Sequence, residues 1–159
     1  MNELFKECNC DISHKMQVIF SSIFILQNRM QTAGEKLQTK ISMKQWLLLA
    51  IAENCPPPCT LTNVGKLMGC SRQNVKKLAL TLERKGFIRL VSGNNNSLNI
   101  ELTEEVGKYN EEIAERRLKA LSFLFADFSE QEIEQLFISY TKLYTGIERI
   151  ESYVEELKK

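Results

Sequence analysis

The chain has one histidine in 159 residues, and its three prolines stand side by side at 56–58. The lone imidazole, His14, has no readable acid or nucleophile partner, and Asp11 and Asp127 form no readable pair. There is no glycine-rich phosphate loop and no nucleophile elbow. These absences argue against an enzyme, so no catalytic residue and no cofactor is expected. No apolar run approaches the ~20 residues that span a bilayer. The longest, Met16 to Leu26, is interrupted by Gln17, Ser21 and Ser22. The opening MNELFKECNCD lacks the basic region and apolar stretch of a secretory signal. A cytoplasmic protein with no membrane partner is the expectation.

Five cysteines are an odd number, and without secretory context they read as free thiols. Cys8, Cys10 and His14 lie in a short span, and Cys55 and Cys59 could add two further soft ligands. Structural zinc requires four ligands at firmer spacing, so no metal site is assigned. Among the thiols Cys70 is the candidate redox sensor. It stands just before a predicted helix, near the positive end of that helix and near Arg72.

A net charge of +1 says nothing about partners, but its distribution does. From Thr62 to Val91 there are seven bases and one acid, Glu83, a net +6. From Glu101 to Lys159 there are 14 acids and 8 bases, a net −6. Such asymmetry marks a local polyanion-binding surface on an otherwise acidic body.

In chain order, Asp11 or Ser13 can cap a first helix reaching Met30 or Gly34. It carries too many apolar residues for one narrow stripe. Ser42 and Gln45 fit a capping box, and the helix after them, apolar nearly all round, reads as a core helix. The prolines end it. Residues 59–61 can form a very short strand. Thr62 is expected to cap a short helix that Gly69 ends. Ser71 caps the next, whose Val75, Leu78, Ala79 and Leu82 recur at helical spacing as a buried face. Gln73, Lys77 and Arg84 fall on the opposite face, flanked by Arg72 and Lys76. Two strand-like runs, 87–91 and 98–102, surround a Gly/Asn/Ser turn and predict a hairpin. Thr103 is expected to cap a long helix reaching about Phe125, and Ser129 with Glu132 forms a second capping box. The last helix keeps apolar residues at 3–4 spacing to the C-terminus. That is more apolar face than the chain can cover, so it reads, with the first helix, as a homodimer interface.

Helix, turn, helix and hairpin outline a winged helix-turn-helix, which places one helix in a DNA major groove. Gln73 and Asn74 can each pair bidentately with adenine. Arg72 and Lys77 suit guanine or phosphate. Thr62, Lys66 and Lys76 suit phosphate, as do the amides beyond Ser71. Arg84 extends the basic ridge, and Asn94, Asn95 and Asn96 offer neutral hydrogen-bonding groups at the wing tip. Phe20, Phe24 and Trp46 suggest a pocket for a small aromatic or amphipathic effector, although core packing explains them equally well.

The chain resembles the MarR family of transcriptional regulators. The resemblance rests on Ser42–Ala50 (SMKQWLLLA), Leu61–Gly69, Ser71-Arg72-Gln73-Asn74-Val75, Leu82 to Ile88 and Leu102-Thr103-Glu104. The order of elements extends it over essentially the whole chain. It implies a mainly α fold with a small β-hairpin wing, flanked by N- and C-terminal dimerisation helices. One domain, 1–159, would comprise a winged-helix DNA-binding region, 42–102, and dimerisation helices, 11–34 and 103–157. It further implies a homodimer on a pseudo-palindromic double-stranded operator, and repression relieved by a small ligand or by cysteine oxidation. Alternatives are a redox-sensing regulator and a winged-helix protein–protein adaptor. Two features depart from the family pattern. The turn Ser92–Ser97 carries no charge where the family has Asp and Arg, and Val106 is an extra residue before Gly107.

Overall fold

The structure, a computed structural model, describes residues 11–94 and 97–158. Cys8, Cys10, Asn95 and Asn96, named above, lie outside the described residues. In order come α1 (Ile12–Glu35), α2 (Met43–Asn54), α3 (Leu61–Met68), α4 (Arg72–Arg84), β1 (Ile88–Ser92), β2 (Leu98–Leu102), α5 (Glu104–Leu124) and α6 (Glu130–Glu156). The chain divides into two compact units, Met1–Ala114 and Glu115–Lys159.

The core of the first unit is built where four helices and a hairpin turn their apolar faces inward. Leu48 and Leu49 come from α2, Leu61 and Val64 from α3, and Val75, Ala79 and Leu82 from α4. Phe87, Ile88 and Ile100 join them from the hairpin. Val106, Tyr109 and Ile113 close the core from the first half of α5. Val106, the additional residue before Gly107, is thus a buried core residue. At α1's C-terminal end Gly34 is buried, and a Cβ there would meet the Met43 sulfur at 2.7 Å.

Helix starts follow the side chains that can satisfy free amides. Asp11 accepts from the His14 amide. Ser42 and Gln45 make the reciprocal capping box. The cap of α3 differs from expectation: Thr60, not Thr62, accepts from the Asn63 amide at 3.0 Å. Thr60 also bridges Asn99 of β2, so the short strand and the cap are one residue. Thr103 differs too. Its hydroxyl donates back to the carbonyls of Gly86 and Phe87, at 2.6 and 3.1 Å, and ties off the hairpin base.

The second unit holds the end of α5, a turn and α6. The Phe125 and Phe128 rings meet edge to face at 5.7 Å across the turn. Ser129 and Glu132 form the capping box of α6. The Ser129 amide and hydroxyl donate to the Glu132 carboxylate, and these bonds hold its pKa below the ordinary value. No residue of α6 is buried. Its tyrosines 140 and 144 stack edge to face at 6.1 Å on an open apolar face.

Candidate nucleic-acid interface

The α3–α4 corner is set by glycines. Gly69 ends α3 at φ +63°, a conformation that costs an L side chain about 1 kcal/mol or more. Gly65 lets the corner close: a Cβ there would stand 2.9 Å from the Cys70 carbonyl oxygen and 3.4 Å from Val75. The Cys70 amide donates to the Gly65 carbonyl at 2.9 Å. Ser71 then caps α4, accepting from the Asn74 amide at 3.3 Å.

With Val75, Ala79 and Leu82 buried, the opposite face of α4 is committed to solvent. Arg72, Gln73, Asn74, Lys76, Lys77 and Arg84 are all exposed there or beside it, and Thr62 and Lys66 are exposed on α3. The structure therefore brings the basic candidates of α4 onto one ridge. Within it the Arg84 guanidinium donates to the Thr81 hydroxyl at 3.3 Å. Lys85, just beyond α4, is turned away and donates to the Lys40 carbonyl.

Two residues of this surface were not singled out by sequence reasoning. Leu80 stands on the same stripe as Gln73, Lys77 and Arg84 and is 42% exposed. An apolar side chain on such a ridge can pack on a thymine methyl group. Glu83, the one acid of the basic segment, is half-buried, and its carboxylate accepts from the Leu90 amide of β1 at 2.7 Å. The acid is thus spent on pinning the wing to the end of α4. Its sequence signal is its isolation: one carboxylate among seven bases.

The hairpin pairs Ile88 with Leu102, Leu90 with Ile100 and Ser92 with Leu98. Beside the middle of β2 the Ile100 amide donates to the Cys59 carbonyl at 2.8 Å. At the turn the Gly93 amide donates to the Ser97 carbonyl, and Asn94 is exposed. A neutral hollow of about 500 Å³ beneath the turn is lined by Pro58, Thr60, Asn63, Asn94 and Asn99 among others.

The remaining candidates lie elsewhere. Phe20 and Phe24 of α1 meet edge to face at 5.3 Å and are more than half exposed, while Trp46 of α2 packs against the core. Cys70 is half-buried in the α3–α4 corner. Among the described residues no group of three or more His, Cys, Asp or Glu converges on a metal position. No described helix is long and apolar enough to cross a membrane.

No family model matches the chain, and no curated protein matches it in sequence. Solved structures do. A MarR/EmrR family transcriptional regulator from Acinetobacter sp. ADP1 superposes with a TM-score of 0.71 at 20% identity, covering 88% of this chain and 99% of that one. The fold is that of the MarR regulators. A MarR transcriptional regulator from Methanosarcina mazei Go1 gives a TM-score of 0.73 at 14% identity, over 84% and 99% of the two chains. MepR of S. aureus, solved as a complex with DNA, gives 0.63 at 20% identity, over 86% and 96%. The likeness therefore spans both the winged helix-turn-helix and the flanking helices of the MarR fold.

Proposed function

We propose that this chain is a sequence-specific DNA-binding transcriptional regulator of the MarR type, acting as a homodimer and repressing until a small effector binds. The observation that carries this reading is the α4 ridge. Its exposed cations face one way, and the only acid of the segment is consumed by the wing. A helix fits the major groove, and an unopposed basic ridge attracts phosphate before any base is read.

On this reading Arg72, Gln73, Asn74 and Lys77 meet base edges, while Thr62, Lys66, Lys76 and the amides at the start of α4 meet phosphate. Arg84 reaches the flanking backbone, and Asn94 to Asn96 supply hydrogen bonds without charge. Dimerisation is supported by α6, a helix of 27 residues that buries none of them within one chain. An open apolar face of that length is what a second copy covers. Phe20, Phe24 and Trp46 are the proposed lining for an aromatic or amphipathic effector. A change in Trp46 fluorescence on titration with aromatic acids tests that part.

The direct test is a gel shift on the DNA upstream of the chain's own gene across a salt series. Salt-sensitive, sequence-preferring binding is expected near micromolar protein or below. Lys77→Ala should weaken it and lower the salt slope by about 1 if the contact is to phosphate, or cost about 1–3 kcal/mol if it is to a base. A winged helix serving as a protein adaptor would show no such binding at any salt concentration.

A further inference from the structure

Met43, the first residue of α2, places its sulfur in the joint between α1 and α2. Two neighbours confine it there. Gly34, buried near the end of α1, leaves so little room that a Cβ would stand 2.7 Å from the sulfur and 3.3 Å from the terminal methyl carbon. Gln38, in the connector, donates through Nε2 to the sulfur at 3.6 Å. The same glutamine accepts the Tyr109 hydroxyl on Oε1 at 2.6 Å, so one side chain ties the sulfur to α5. The Met43 backbone is fixed as well, its amide donating to the Glu35 carboxylate at 3.0 Å. The side chain is half-buried rather than sealed in the core.

A thioether in this setting has little tolerance for change. Sulfur is a weak acceptor and bonds at long range. Two-electron oxidation converts it to a sulfoxide, which is polar and carries one more atom. Towards Gly34 the sulfur already occupies the space that a methyl group would need. Towards Gln38 an oxygen bonded to the sulfur enters the 3.6 Å gap and stands inside hydrogen-bond length of Nε2. Gln38 must then withdraw, and its bond to Tyr109 is strained with it. Met16 and Met30 differ, since both are more than half exposed on α1 and an added oxygen there meets solvent.

We infer that Met43 is an oxidation-sensitive pin, and that its conversion to the sulfoxide by a hypohalous acid parts the end of α1 from α2. With hypochlorous acid a sulfur–oxygen bond forms and the oxygen–chlorine bond breaks. The sulfur loses two electrons, chlorine leaves as chloride, and the proton passes to solvent. Only reduction of the sulfoxide closes the joint again. The inference concerns the joint itself and does not rest on the DNA-binding reading.

The experiment treats the full native chain with hypochlorous acid, restores its thiols with dithiothreitol, and maps sulfoxides by mass spectrometry. Amide hydrogen exchange is then followed over residues 34–43. Sulfoxide at Met43 should raise exchange there on the order of tenfold, the local opening expected of an overfilled joint. A Met16→Leu/Met30→Leu/Met68→Leu variant should respond as the native chain does, and Met43→Leu should not respond. Because the leucine variants change packing themselves, the oxidised native chain is also treated with methionine sulfoxide reductases. Exchange should slow again as Met43 returns to the thioether. Met43 left unoxidised when Met16 and Met30 are fully converted overturns the inference. So does unchanged exchange with Met43 oxidised, faster exchange in oxidised Met43→Leu, or exchange that stays fast once Met43 is reduced.

Discussion

The Tyr109 hydroxyl donates to Gln38 Oε1 at 2.6 Å and accepts from the Thr39 amide at 3.3 Å. One buried phenol on α5 thus holds the connector between α1 and α2. Its ring packs edge to face on Phe87, 5.5 Å away, at the end of the corner that carries α4. Beside it Lys40 pairs with Glu112 and receives the Lys85 ammonium on its carbonyl. Connector, the end of α4 and α5 therefore meet at one point. Tyr109→Phe keeps the ring and removes both bonds, leaving Gln38 and an amide short of a partner. A loss of about 1–3 kcal/mol in urea unfolding is expected, and an unchanged midpoint would show the bonds to be idle.

Gly65→Ala should be more damaging than its single methyl suggests. The obstacle is the Cys70 carbonyl, which is backbone and cannot rotate away. Overpacking of this kind costs about 1–3 kcal/mol. A lowered melting temperature, with α4 displaced and DNA affinity reduced together, is the expected pattern. Gly107→Ala, where a Cβ meets open space, is the control and should not destabilise.

Glu83→Gln and Glu83→Ala should separate two roles of one side chain. Glutamine keeps an acceptor for the Leu90 amide while removing the only negative charge of the segment. Tighter DNA binding with a steeper salt slope is expected, for a stability cost of about 1 kcal/mol. Alanine also leaves the Leu90 amide unpaired, and its cost should rise to about 2 kcal/mol. Equal stability of the two variants would mean that the bond to Leu90 contributes nothing.

Leu80→Ala should relax base preference at one position without altering the salt slope, since no charge changes. Replacing thymine by uracil, base by base, in the bound duplex locates that position. The wild type should lose affinity there and the variant should not.

The capping box of α6 should be sensitive to acid. The Glu132 pKa lies below its ordinary value in the folded chain, so its contribution is complete above the ordinary carboxylate range. It is lost as pH falls through the lowered value. Because the group is exposed, the effect is small and read best as helicity. Circular dichroism of Glu132→Gln should lie below wild type near neutrality and converge with it in acid.

Much of the fold was legible because helix starts are chemical events of short range. Ser42 with Gln45, Ser71, and Ser129 with Glu132 each carry a local signal that tertiary structure left alone. Thr62 and Thr103 show where that signal fails. Thr60, bridged to Asn99 of β2, takes the cap in place of Thr62, and the Thr103 hydroxyl is drawn to the Gly86 and Phe87 carbonyls. The ridge of α4 could be drawn from periodicity, since Val75, Ala79 and Leu82 fix which face is hidden. The same rule left Leu80 off the buried face, but an apolar residue on a basic ridge carries no charge to draw notice to it. Glu83 and Gly65 act through partners at Leu90 and Cys70, and only the folded chain sets those distances.

The short bond from Glu83 to Leu90 joins the last turn of α4 to the first strand of the hairpin, and the Phe87 amide, donating to Leu82, closes the same junction. Helix and wing are left without a hinge. On the DNA-binding reading, such a head works as a fixed-jaw caliper. It accepts duplexes whose neighbouring grooves already lie at its own spacing, and sequences too stiff to reach that spacing are refused before any base edge is touched.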